Sequence, residues 1–103
     1  MRFLAIEKMT EAFGMLPPDV KLQLMEASLE SVQRLREERK ILEHYYTLTR
    51  DTIVLLDYEN AEECVDSIIS IPVLNYCKTE LYPLADGMAS MKKGLEALKA
   101  FVK

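Results

Sequence analysis

His44 is the only histidine in the chain, and imidazole is the one side chain whose ordinary pKa lies close to neutrality. It stands in the run Ile41-Leu42-Glu43-His44-Tyr45-Tyr46-Thr47, where Tyr46 shares its face if the run is a strand. A histidine beside a phenol could move a proton and orient a carbonyl or carboxylate, the parts that a cofactor-free isomerisation or oxidation needs. The plainer alternative is a sheet-edge histidine beside a space-filling tyrosine. Glu7, Asp57 and Glu80 fall at or near strand positions. A carboxyl drawn into an apolar interior gains a raised pKa and can serve as a base, whereas one at a solvated strand end cannot. His44, Glu7 and Asp57 are therefore the catalytic candidates, and Tyr46, Glu80 and Tyr82 the ligand-binding ones.

Other chemistry has little support. One histidine and two separated cysteines, Cys64 and Cys77, make no zinc spacing, so no metal is expected. Cys64 lies near the start of a short helix, where its thiol pKa could be lowered, and Cys77 reads as a small core residue. There is no glycine-rich phosphate loop, nucleophile elbow or HExxH motif, and no cofactor is expected.

The elements that must position these residues follow from periodicity. Arg2 to Lys8 reads as a strand, followed by a loop with Gly14 and Pro17-Pro18. A helix is predicted from about Pro18 to Arg39, with Leu22, Met25, Leu29, Val32 and Leu35 as its apolar stripe. Two β-rich runs, 41–47 and 52–58, flank a turn at Thr49-Arg50-Asp51 and predict a hairpin. A two-residue loop would put His44 and Asp57 on one face, and a three-residue loop would separate them; both remain open. Asn60 and Glu63 resemble a capping box for a short helix turning Ala61, Cys64, Val65, Ile68 and Ile69 inward. Pro72 ends that helix, and Asn75 to Tyr82 reads as a fourth strand. A last amphipathic helix carries Met88, Met91, Leu95, Leu98 and Val102.

The order β-α-β-β-α-β plus a C-terminal helix is the ferredoxin-like α+β plan, an antiparallel four-stranded sheet in the order 4-1-3-2. The length of 103 residues suits one domain, with residues 1–84 as its core and 88–102 as the added helix. The first and third strands, apolar on both sides, belong at the centre. Two helices cover only one face of such a sheet. The other spans roughly 320 Å² in projection, near the largest apolar patch a soluble monomer exposes. Either a second copy or the last helix should cover it, and the second copy is favoured, enclosing a hollow in which a ligand could sit.

Half of the residues are hydrophobic and 29% charged, a globular composition. The net charge of −4 argues against nucleic acid, whose phosphates need clustered cations. No apolar run approaches the ~20 residues of a membrane span, and the apolar start Phe3-Leu4-Ala5-Ile6 is too short for a signal peptide. Two cysteines without a disulfide framework fit a reducing cytoplasm.

Leu56-Asp57, the short helix after it, and Ser70-Ile71-Pro72-Val73-Leu74-Asn75-Tyr76 together resemble the muconolactone isomerase-like branch of the dimeric α+β-barrel superfamily. Gln33-Arg34-Leu35-Arg36-Glu37-Glu38 is similar to the end of that family's first helix, and the resemblance spans about residues 1 to 84. It implies a homodimer or higher homo-oligomer acting without a cofactor on a small unsaturated lactone or aromatic acid by proton transfer. Leu48-Thr49-Arg50-Asp51 and the C-terminal helix depart from the family pattern. Two alternatives stand beside the isomerase: a cofactor-free monooxygenase acting on a quinol-like substrate, and a non-enzymatic interaction module docking through its last helix.

Overall fold

The computed structural model describes residues 1–102. Strand β1 (Arg2–Met9) leads through a one-turn helix α1 (Glu11–Gly14) into the long helix α2 (Pro18–Glu37). The hairpin β2 (Ile41–Tyr46) and β3 (Thr52–Asp57) follows, then α3 (Ala61–Ile69). A 3-10 turn over Pro72–Tyr76 precedes β4 (Cys77–Pro83), and α4 (Gly87–Phe101) ends the described chain. The sheet is antiparallel in the order β2-β3-β1-β4, the expected ferredoxin-like order read from the other edge. One-turn α1 replaces the start of an expected loop. The 3-10 turn takes Asn75 and Tyr76 out of the predicted fourth strand, because Pro72 at its start still favours helical backbone.

Alternation along the central strands divides the sheet. Phe3, Ala5, Val54 and Leu56 point to the helix face and are buried with Leu35 and Cys64. Leu4, Ile6, Ile53 and Leu55 alternate with them and face the other way, where no element of the described chain forms a layer. That open face is rimmed by Glu43 and Tyr45 on β2 and by Lys78, Glu80 and Tyr82 on β4. It is the aliphatic second side that the central strands predicted.

Helix α2 packs along a different line from the predicted stripe. Its inward residues are Leu24, Ser28, Val32 and Leu35, while Leu22, Met25 and Leu29 are 59%, 41% and 59% exposed. The reason is Ser28. Its hydroxyl donates to the Leu24 carbonyl at 2.6 Å and accepts the Val73 N–H at 2.9 Å, tying α2 to the 3-10 turn through a small side chain. That close approach rotates the larger apolar residues outward. The helix ends at Glu37, two residues before the predicted Arg39. Arg39 is left-handed (φ 59°), with its N–H on the Arg36 carbonyl and the Lys40 N–H on that of Leu35. This is a Schellman stop with arginine where glycine is usual.

Within α3, Cys64 and Ile68 are buried as expected, but Ala61, Val65 and Ile69 are exposed, since only one edge of the short helix reaches the sheet. Asn60 caps it by accepting the Glu63 N–H at 2.9 Å, the first of the two bonds of a capping box. Helix α4 lies apart: every described residue from Tyr82 onward is exposed, and the molecule measures 66 × 28 × 23 Å. The last helix does not fold back over its own sheet. Ser28→Ala should leave the buried Val73 N–H without a partner and cost about 1–3 kcal/mol in urea unfolding. A loss below about 0.5 kcal/mol would show that the serine does not anchor the helix.

Candidate functional site

The hairpin loop settles the placement of His44. Thr47 and Asp51 close a three-residue loop, Leu48-Thr49-Arg50, with the Thr47 N–H on the Asp51 carbonyl at 2.9 Å and Arg50 left-handed at φ 65°. His44 therefore pairs with Val54 and Tyr46 with Thr52, all on the helix face, whereas Asp57 points to the open face. The three-residue alternative holds, so His44 and Asp57 are separated. A bulge between Ile41 and Glu43 keeps Ile41 on the helix face as well.

His44 and Tyr46 form one wall of a groove of about 410 Å³ between β2 and α2. Met25, Leu29 and Val32 form the opposite wall, with Glu26 and Ser28 adding the polar atoms of the helix side. The imidazole and phenol rings are 5.9 Å apart and tilted by 49°. Partial burial, and secondarily the charge of Arg36, lowers the His44 pKa from its ordinary 6.5, so the ring is a neutral base at pH 7. The Ser28 hydroxyl is already engaged as donor and acceptor, which removes it as a nucleophile. The groove can thus hold a small apolar molecule against a base and a phenol. Met25 and Leu29 were read as core by spacing; only their exposure in the fold shows them as lining.

The other candidates lie elsewhere. Asp57 sits at the end of β3 on the open face, 3.3 Å from the Met1 ammonium and half exposed, so it is no buried base. Glu80 and Tyr82 are also on the open face, with the Tyr82 hydroxyl donating to Glu80 at 3.2 Å and Lys8 at 3.8 Å from the same carboxylate. A ligand in the groove touches none of these three. Nor does His44 face the hollow that pairing of open faces would enclose, because it belongs to the opposite side of the sheet.

Glu7 is the unusual carboxyl. It is 1% exposed, on the helix face in the row Tyr46-Thr52-Glu7-Thr79 across the four strands. The Thr79 hydroxyl donates to Oε2 at 2.6 Å, while Oε1 is buried without a partner. Burial raises its pKa above the ordinary 4.5, and the Thr79 bond offsets only part of that. Two strand spacings, ~9.6 Å, separate its strand from that of Tyr46, and it does not line the groove. The cysteines are not reactive. Cys64 is fully buried, and burial pushes its thiol up to about 11, so desolvation outweighs the helix terminus that would have lowered it. Cys77 is likewise pushed up to about 11 by burial and by the charge of Glu7.

Comparison with solved structures brings in muconolactone isomerase. Its crystal structure aligns with a TM-score of 0.71 at 21% sequence identity, covering 84% of this chain and 90% of that one. The fold is muconolactone isomerase-like. No family model matches the sequence, and no curated protein matches it significantly.

Glu7→Met tests the carboxyl. Below about pH 4.5 the acid is protonated in both folded and unfolded chains. As pH rises past that value the unfolded chain ionises first, and the folded state loses stability until its own raised pKa is passed. The variant should therefore be more stable than the native chain at pH 7 by about 1–3 kcal/mol, with the advantage shrinking at pH 4. A pH-independent difference would show that Glu7 is not strained by its burial.

Proposed function

We propose that this protein binds a small unsaturated lactone or aromatic acid in the groove between α2 and β2, and isomerises it by proton transfer without a cofactor. The observation that carries the reading is the half-buried, neutral His44 on the wall of an apolar groove, beside Tyr46. A base at the groove wall can take a proton from the carbon α to a carbonyl, and its conjugate acid can return that proton to the γ-carbon of the resulting dienolate, two carbons along, which moves the double bond. Tyr46 is suited to hold the carbonyl oxygen through its hydroxyl, which favours the developing enolate. Carboxylate binding is supported by Arg36, the charge acting on His44, and opposed by Glu26, so a neutral lactone is the better fit. The likeness to muconolactone isomerase supports the reaction class through the fold.

In this reading the chain works as a homodimer or larger homo-oligomer paired through the open sheet face, supported by the four aliphatic residues there. Its setting is cytoplasmic, in keeping with two free thiols. Among the described residues, no helix is long and apolar enough to cross a membrane.

A thermal-shift screen of unsaturated lactones and aromatic acids should find ligands that raise the melting temperature, with His44→Gln removing turnover by about 10²–10⁴-fold. Because the His44 pKa lies below 6.5, turnover should be flat at neutral pH and fall only below pH 6.5, as the base becomes protonated. A screen with no stabilising ligand, or a His44→Gln protein as active as the native one, would refute the assignment.

A further inference from the structure

Helix α4 has an apolar stripe and no surface of its own chain to bury it on. Met88, Met91, Leu95 and Leu98 lie at three- and four-residue steps, and all four are exposed. On α2, Leu22, Met25 and Leu29 repeat the same steps and form an exposed apolar ridge beside the groove. Two unpartnered ridges of like spacing are what helix-to-groove docking uses.

Topology prevents the two from meeting within one chain. Helix α4 leaves from β4, at the opposite edge of the sheet from β2, and its base lies beside Leu55 on the open side. The connector Leu84-Ala85-Asp86 spans at most ~10 Å, while the two edge strands are ~14 Å apart and the groove is on the other face. The stripe must therefore find another molecule.

Charge selects a second copy. Of the thirteen basic and seventeen acidic residues, four lysines and one glutamate fall from Gly87 onward, leaving nine basic against sixteen acidic before it. The arm is basic and the body acidic, and Glu26 lines the groove itself. At 1.5 Å per residue α4 is about 22 Å long, enough to cover the ridge from Leu22 to Leu29. A reciprocal exchange makes two helix-to-groove contacts, which together must bury the roughly 1,600 Å² of an ordinary stable interface.

We propose that α4 of one copy docks along the Leu22-Met25-Leu29 ridge of another and roofs its α2–β2 groove. The partner thereby closes the groove over His44 and Tyr46. The inference goes beyond the proposed reaction and does not depend on it, since it rests on apolar spacing, reach and charge. Failure of the ligand screen leaves it standing.

Sedimentation of the full chain and of two variants tests it, one with Leu95→Glu on the arm and one with Leu29→Glu on the ridge. Both positions are exposed, so each protein should fold with an unchanged far-UV spectrum. The native chain should sediment above the 11.9 kDa monomer, and both variants should drop to the same smaller species. Mixing Leu95→Cys and Leu29→Cys chains, both carrying Cys77→Ser, should give a bismaleimide cross-link between the two. A monomeric native chain would overturn the proposal. So would dissociation by the arm variant alone, which would place α4 on another surface such as the open sheet face, or a failure to cross-link.

Discussion

Four strands in the order β2-β3-β1-β4 give a sheet with two faces, and the two main helices that connect them lie on one. The central strands have committed aliphatic residues to both. On the helix side, Phe3, Ala5, Val54 and Leu56 leave water, each large side chain contributing about 1.5–3 kcal/mol. On the other, Leu4, Ile6, Ile53 and Leu55 form a matching strip that the described chain leaves uncovered. The remaining architecture adjusts to this imbalance: charged and tyrosine-bearing edge strands rim the strip, and α4 meets it only at its base, beside Leu55. Intramolecular burial makes the fold and leaves this strip without a covering layer.

The groove has a local cause on the helix side. A larger apolar residue in place of Ser28 would hold α2 away from the 3-10 turn and point the Leu22-Met25-Leu29 ridge nearer the sheet. The small hydroxyl instead satisfies a buried N–H and lets the helix settle with that ridge turned out. The opening between ridge and β2 is then walled by whatever β2 offers on its helix side. The hairpin loop makes that His44 and Tyr46. One serine and one turn thus position the two walls of the groove.

Much of the fold was legible in the sequence because alternation and period report burial directly. Strand order, the central position of β1 and β3, the Asn60 cap and the separate last helix all follow from apolar spacing and punctuation. Where the reading departed, a single interaction outweighed the pattern. Leu22, Met25 and Leu29 have perfect helical spacing, yet a serine between them sets the contact line. Whether Asp57 shares a face with His44 hangs on loop length, which the sequence leaves open; a three-residue loop, with Arg50 in a left-handed conformation that favours glycine, sends it to the other face. Glu7 reads as a strand-end acid and lies instead in the core, because β1 continues to Met9 and β4 pairs along it. The groove itself was not legible, since its lining joins residues about twenty apart through the tilt of a helix.

The short stalk under α4 also bears on how an assembly would grow. Each copy offers one arm and one ridge, so any scheme of arm-to-ridge contacts has equal numbers of both. Mutual exchange consumes them within a pair and stops. A head-to-tail arrangement leaves one of each at its ends and stops only by closing into a ring. Three residues of connector allow little freedom in the angle at which the arm departs, so the choice between a closed pair, a ring and an endless filament is set at Leu84, Ala85 and Asp86.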